Sequence, residues 1–155
     1  MPQFRPVLLP VVHVRQRYQS DCLVACAYMT LQYLGATSNY HRLLKVLQTN
    51  VNAGTPFSHI TKLELLKVTV VYRQGNLSQL YTFLQNGWPV LAPVQTGELP
   101  HWFEDTAHAV VVVGMDDQTV YINDPAFPNA PTSVPHGDFD LAWLAHNEYY
   151  AVLAP

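Results

Sequence analysis

Cys22 follows Asp21 in the run Gln16-Arg-Tyr-Gln-Ser-Asp21-Cys22-Leu-Val-Ala25, at what reads as the first turn of a helix. Far downstream, His108 opens the valine run His108-Ala-Val-Val-Val-Val-Gly114, and Asp124 stands before Pro125 at the end of the next apolar stretch. A thiol at a helix start, an imidazole, a carboxylate and a glutamine amide are the parts of a cysteine-nucleophile acyl-transfer site. Cysteine attacks as thiolate, and a free thiol with pKa ~8.5 is mostly protonated at neutral pH. The positive end of a helix favours the anion, and an imidazolium at His108 would pair with it. Asp124 would accept the second ring N–H and fix the tautomer. Gln16 and the backbone N–H of Cys22 would meet the developing oxyanion, each such donor contributing about 3 kcal/mol.

Each residue alone also has an ordinary reading. A small cysteine in an apolar helix is usually packing, a histidine at a strand start is often structural, and an aspartate before proline is usually a turn residue. Their occurrence together, in this order, points to chemistry. Cys26, one helical turn deeper among apolar neighbours, reads as core. The other histidines (His13, His41, His59, His101, His136 and His146) share no consistent spacing and read as surface or structural residues. Of these, His101 lies in the segment leading to His108 and is the one adjacent to the expected site.

The elements needed to position these groups can be read along the chain. Residues 1–12 are Pro-rich and apolar and should be extended. Ser20 or Asp21 caps a helix running to about Leu34, with Gly35 as its stop. A short helix follows around Tyr40 to Gln48, and Ser58 is placed to cap another ending at Leu66. Val68–Arg73 and Pro89–Val94 read as strands on either side of a helix over Leu77–Gln85, capped by Asn76 and ended by Asn86-Gly87. Residues 95–107 form a polar and aromatic loop. Val110–Val113 and Val120–Asn123 form a hairpin around Asp116-Asp117-Gln118, which brings the ends carrying His108 and Asp124 side by side. A Pro-rich loop spans 125–137, followed by a short helix over Phe139–Ala145 and a last strand over Tyr149–Leu153. Helices come first and a largely antiparallel sheet last, an α+β order.

At 155 residues, with 49% apolar and 12% charged residues, the chain is expected to form one domain with a substantial core. The formal charge of −3 and scattered Lys and Arg give no footprint for nucleic acid. No apolar run is long enough to span a bilayer. The segment 7–14 is broken by Pro10 and lacks a small-residue cleavage site, so a cytoplasmic protein is expected. Two cysteines four apart on one helix make no disulfide framework. They share a helix face and could ligate a metal only with His or acidic partners from elsewhere, and without a close histidine pair neither a metal site nor a cofactor is expected.

At these residues the chain resembles the papain-like thiol peptidases, in particular the bacteriocin-processing peptidases that cut leader peptides after a double glycine. Gln16, Asp21, Cys22, Ala25, Met29 and Gly35 match the steps of their first motif. His108, Val110–Val113, Gly114, Val120–Ile122 and Asp124-Pro125 match the second. The resemblance covers roughly residues 13–153. It implies a papain-like fold, Cys22 as nucleophile, His108 as base, Asp124 as orienting group, Gln16 as oxyanion donor, and a peptide or protein substrate. The chain departs from the pattern in three places. Leu23 stands where many relatives carry glycine, which narrows the space beside the thiol. The 96–107 loop is enlarged and carries Glu98, Trp102, Phe103, Glu104 and Asp105, giving either a solvated loop with one aromatic anchor or a substrate-facing wall. No ATP-binding cassette or membrane domain is expected to follow, and double-glycine specificity is therefore not expected to carry over. A transpeptidase, amidase or deamidase would use the same thioester, and a non-catalytic peptide-binding relative is the remaining alternative. Proteolysis by a toxin or effector is a third.

Overall fold

In a computed structural model, which describes residues 4–36 and 38–155, one seven-stranded sheet runs through the molecule. Its strands are β1 (Val7–Leu8), β2 (Thr69–Gln74), β3 (Val90–Gln95), β4 (Ala107–Met115), β5 (Thr119–Asn123), β6 (Thr132–Pro135) and β7 (Tyr149–Ala154). Their spatial order is β2-β7-β3-β4-β5-β6, with β1 joined to the end of β4, and every strand pair is antiparallel. The helices are α1 (Cys22–Tyr33), α2 (Tyr40–Val46), α3 (Leu77–Gln85) and α4 (His136–Leu144), together with 3-10 segments at Phe57–Leu66 and Thr96–Glu98.

The valine run explains how the layers assemble. Alternate residues of a strand point to opposite faces, and β4 is apolar at both parities. Val110 and Val112 join a core with Leu80 and Leu84 of α3 and Phe139 and Trp143 of α4. Ala109, Val111 and Val113 join a second core with Leu23, Val24, Ala27 and Met29 of α1. The sheet is therefore covered on both faces, and β4 reads as an unbroken apolar stretch because both of its sides are buried. This seats α1, and with it Cys22, against the strand that carries His108.

Local chemistry accounts for most element ends. Asn76 and Gln79 form a reciprocal capping box at the start of α3. Gly35, at φ +78°, ends α1 in the left-handed region. The Asp116 carboxylate accepts the backbone N–H groups of Gln118 and Thr119 at 2.9 and 2.8 Å, closing the β4–β5 turn.

Three sequence expectations need correction. Asp21 occupies the position before α1 but does not cap it through its side chain; its φ and ψ of −96° and 7° lie outside the extended region that caps favour. The segment expected as a Ser58-capped helix is a 3-10 helix that starts after Pro56, with Ser58 inside it. The loop 125–137 contains β6, a short edge strand ending at Pro135 and paired to β5. The N-terminal segment is extended, as expected, and in addition contributes β1, which crosses β4 at Gly114. A Cβ at Gly114 would meet the Val7 carbonyl oxygen at 2.5 Å, so the crossing requires glycine there. Residues 1–3 of that segment lie outside the described residues.

Candidate active site

Three of the four residues expected from sequence converge at one end of the sheet. His108, the second residue of β4, is buried, and its Nε2 lies 2.7 Å from Oδ1 of Asp124, which directly follows β5. The hairpin sets this pairing, as its two ends lie side by side. With Nε2 on Asp124, Nδ1 is the ring nitrogen left for Cys22, which stands at the start of α1 and lines the same cleft as His108. Burial alone would lower the His108 pKa. The hydrogen bond to Asp124, the nearby Cys22 thiol and the charges of both outweigh burial and raise it to about 9. Burial likewise opposes ionisation of Asp124, but donors from His101, His108 and Trp102 hold its carboxyl well below the ordinary range. Burial, followed by the charges of Cys22 and Asp124, pushes the Cys26 thiol well up, in keeping with a packing role.

Gln16 lines the same cleft as Cys22. Its side-chain nitrogen donates to the carbonyls of Tyr18 at 2.8 Å and Gln19 at 3.0 Å, so its two N–H groups face the loop rather than the thiol. The backbone of Gln16 is fixed beside the other site residues, because its N–H donates to the Pro125 carbonyl at 2.8 Å. Asp21, turned inward and buried, accepts from the hydroxyl of Tyr40 at 3.2 Å and from Ser20 at 3.5 Å. Tyr40 in turn accepts the Arg17 backbone N–H at 3.4 Å, and the Arg17 guanidinium lies 4.3 Å from its ring centroid. The loop before the cysteine is thereby tied to α2.

The sequence did not identify two partners of Asp124. His101 Nε2 and Trp102 Nε1 both lie 2.8 Å from Oδ2. Trp102 also meets the His108 ring edge-on at 4.9 Å. The available signal was a His-Trp dipeptide shortly before the site histidine, in a loop longer than a turn requires. That loop also forms part of a cleft of about 890 Å³ beside Cys22, where Trp102, Phe103 and Glu104 face the Arg15–Ser20 segment and the residues Val51–Phe57. Trp102 thus serves as the aromatic anchor of the loop, packed edge-on against His108 and Phe127, while the loop also lines the cleft. No group of three or more His, Cys, Asp or Glu side chains among the described residues is arranged to hold a metal. No helix among them is long and apolar enough to cross a membrane.

Residues 8–151 match the Peptidase_C39 like family. The chain belongs to that family. Its fold is shared with a C39-like peptidase from Bacillus anthracis, at TM-score 0.79 and 21% identity over 97% of this chain and 98% of that one. The peptidase domain of Streptococcus ComA, a bifunctional ABC transporter of a quorum-sensing pathway, matches at TM-score 0.74 and 19% identity, covering 94% and 98%. A double-glycine-motif protease from an AMS/PCAT transporter, solved with its leader peptide, matches at 0.72 and 16%, covering 99% of each chain. At such identities the likeness establishes the fold alone, which is that of the papain-like C39 peptidase domains. No curated protein sequence matches the chain. Family membership supports a cysteine-peptidase type of function, and the site must supply the rest.

Proposed function

We propose that this chain is a cysteine peptidase that cleaves a peptide or isopeptide bond through an acyl-enzyme on Cys22. The observation that carries this reading is His108, whose Nε2 lies 2.7 Å from the Asp124 carboxylate and which lines one cleft together with Cys22. In this reading Cys22 and His108 rest as a thiolate–imidazolium pair with the proton on Nδ1, and the thiolate attacks the carbonyl carbon. The resulting oxyanion is met by the backbone N–H of Cys22 and the amide of Gln16. Gln16 must first release either the Tyr18 or the Gln19 carbonyl. The imidazolium then returns its proton to the leaving nitrogen as the C–N bond breaks. Water, deprotonated by the neutral imidazole, opens the thioester and restores the thiolate–imidazolium pair. Asp124 stays ionised throughout and holds the ring.

The open cleft beside Cys22 supports a peptide substrate, as does the leader peptide bound by the structurally similar PCAT domain. Iodoacetamide labelling of Cys22 tests the reading, followed by assay of the unlabelled protein on a peptide library. Labelling should slow at least tenfold in His108→Ala, and Cys22→Ala should abolish cleavage. A labelling rate indifferent to His108 would sink the proposal. Product release with transfer to an added amine, rather than to water, would instead identify the acyl-transfer variant.

A further inference from the structure

We propose that His101 is a positioning residue of this site: together with Trp102 it holds Asp124 by Oδ2, which keeps Oδ1 on His108 and draws off part of the carboxylate's charge. The inference rests on the reading of Cys22, His108 and Asp124 given above.

A carboxylate offers about four lone-pair positions, and Asp124 uses all of them. Oδ1 takes His108 Nε2 at 2.7 Å and the Ala126 backbone N–H at 3.0 Å. Oδ2 takes His101 Nε2 and Trp102 Nε1, both at 2.8 Å. Orienting His108 requires only one of these four. The contact from His101 is built into the fold. Its ring packs edge-on against Phe127 at 4.9 Å, and its Nδ1 is buried without a hydrogen-bond partner among the described residues. Such a nitrogen costs free energy, and the bond that the ring makes through Nε2 offsets it.

The loop that delivers His101 is pinned at both ends. Thr96, buried, exchanges backbone and side-chain hydrogen bonds with Glu104 and Thr106 at 2.7–2.9 Å. The Asp105 carboxylate accepts from Gln95 and from the Gly97 N–H at 3.0 and 3.1 Å. The sequence enlargement at 96–107 thus places a second imidazole on the site aspartate.

The consequence has a definite sign. The charged or ionisable groups facing His108 are Asp124 after β5 and Cys22 on α1; His101 acts through the first of these. An N–H dipole on Oδ2 directs positive charge toward the carboxylate and so weakens its hold on the His108 imidazolium. Removing that donor without admitting water should strengthen the hold.

The test uses the full chain with His101→Phe, which keeps an aromatic ring against Phe127 but carries no donor, and His101→Gln, which can return an amide N–H. The His108 titration midpoint is followed by NMR of the imidazole. In His101→Phe it should rise by about 0.5–1 pH unit, and the alkaline limb of Cys22 alkylation should move with it. The value of kcat/KM should fall roughly tenfold through kcat, the size typical of lost outer-shell support, while KM stays put. His101→Gln should return both readouts close to wild type. Trp102→Phe, which removes the other Oδ2 donor, should shift the midpoint in the same direction. An unmoved midpoint in both Phe variants overturns the proposal, as does an equal change in His101→Gln and His101→Phe, which would mark a packing role. The midpoint is read without any substrate. A protein that shows the shift but cleaves nothing therefore refutes the peptidase reading and leaves the coupling of His101 to His108 standing.

Discussion

Four donors converge on the Asp124 carboxylate, and this makes the residue irreplaceable even by its neutral isostere. An asparagine there has one oxygen and one NH2 group. Either His108 and Ala126, or His101 and Trp102, would then face a donor with a donor. Asp124→Asn should therefore lose on the order of 10³–10⁴ in kcat, the scale of a misplaced base tautomer. It should also lose about 1–3 kcal/mol of stability from unpaired buried groups. Steady-state kinetics and urea unfolding of the same variant check the two arms; near-normal values in both would remove Asp124 from the site. Much of this was readable in advance. The placement of Cys22, His108 and Asp124 could be read, because chemistry restricts the residue types, the hairpin sets His108 beside Asp124, and the apolar faces of α1 and β4 seat Cys22 near them. The roles of His101 and Asp21 could not, because each depends on a partner brought close only by tertiary packing: Asp124 for the first and Tyr40 for the second.

At the scale of elements, the loop before α1 depends on α2. The Tyr40 hydroxyl joins the Arg17 backbone N–H to the Asp21 carboxylate. Burial, with the charge of Asp21 adding to it, holds the Tyr40 pKa above its ordinary value, so the hydroxyl remains a donor. Asp21 thus gives up the capping role that its sequence position suggested in order to fasten the segment carrying Gln16. Tyr40→Phe should leave the buried Asp21 with only its long contact to Ser20, costing about 1–3 kcal/mol. It should lower kcat more than it raises KM, because the oxyanion side of the site is loosened while the cleft walls remain. Thermal melts and kinetics check this, and an unchanged kcat would show that the tie is purely structural. The same scale separates what the sequence disclosed from what it did not. α3 was legible because Asn76 and Gln79 make its cap locally. β1 and β6 were not, since two and four residues carry too little periodicity and acquire strand character only by pairing with β4 and β5. The 3-10 geometry of Phe57–Leu66 left no local mark that distinguishes it from an α-helix.

Over the whole molecule, the site couples folding to pH, and two shifts set the window. His108 titrates near 6.5 when unfolded and near 9 when folded, a raised value. Its contribution is therefore complete below pH ~6.5 and is lost as pH rises through about 9. Asp124 is shifted the other way: its contribution is complete above the unfolded carboxyl value of ~3.9 and fades as pH falls below it. The pair thus stabilises the fold most between roughly pH 4 and 6.5. Because both shifts largely express one interaction, they are counted once. At about 1.4 kcal/mol per unit, the His108 shift corresponds to an upper value of about 3 kcal/mol. For a chain of this size that is roughly 6–12 °C in Tm. Melts of the wild-type protein should therefore fall by up to that amount between pH ~6.5 and ~9 relative to His108→Asn, which has no imidazole to titrate. Parallel pH profiles for the two proteins would mean that the Asp124–His108 pair does not contribute to folding as the geometry requires. A difference confined to this range would tie the stability of the sheet to the same proton that the proposed chemistry moves.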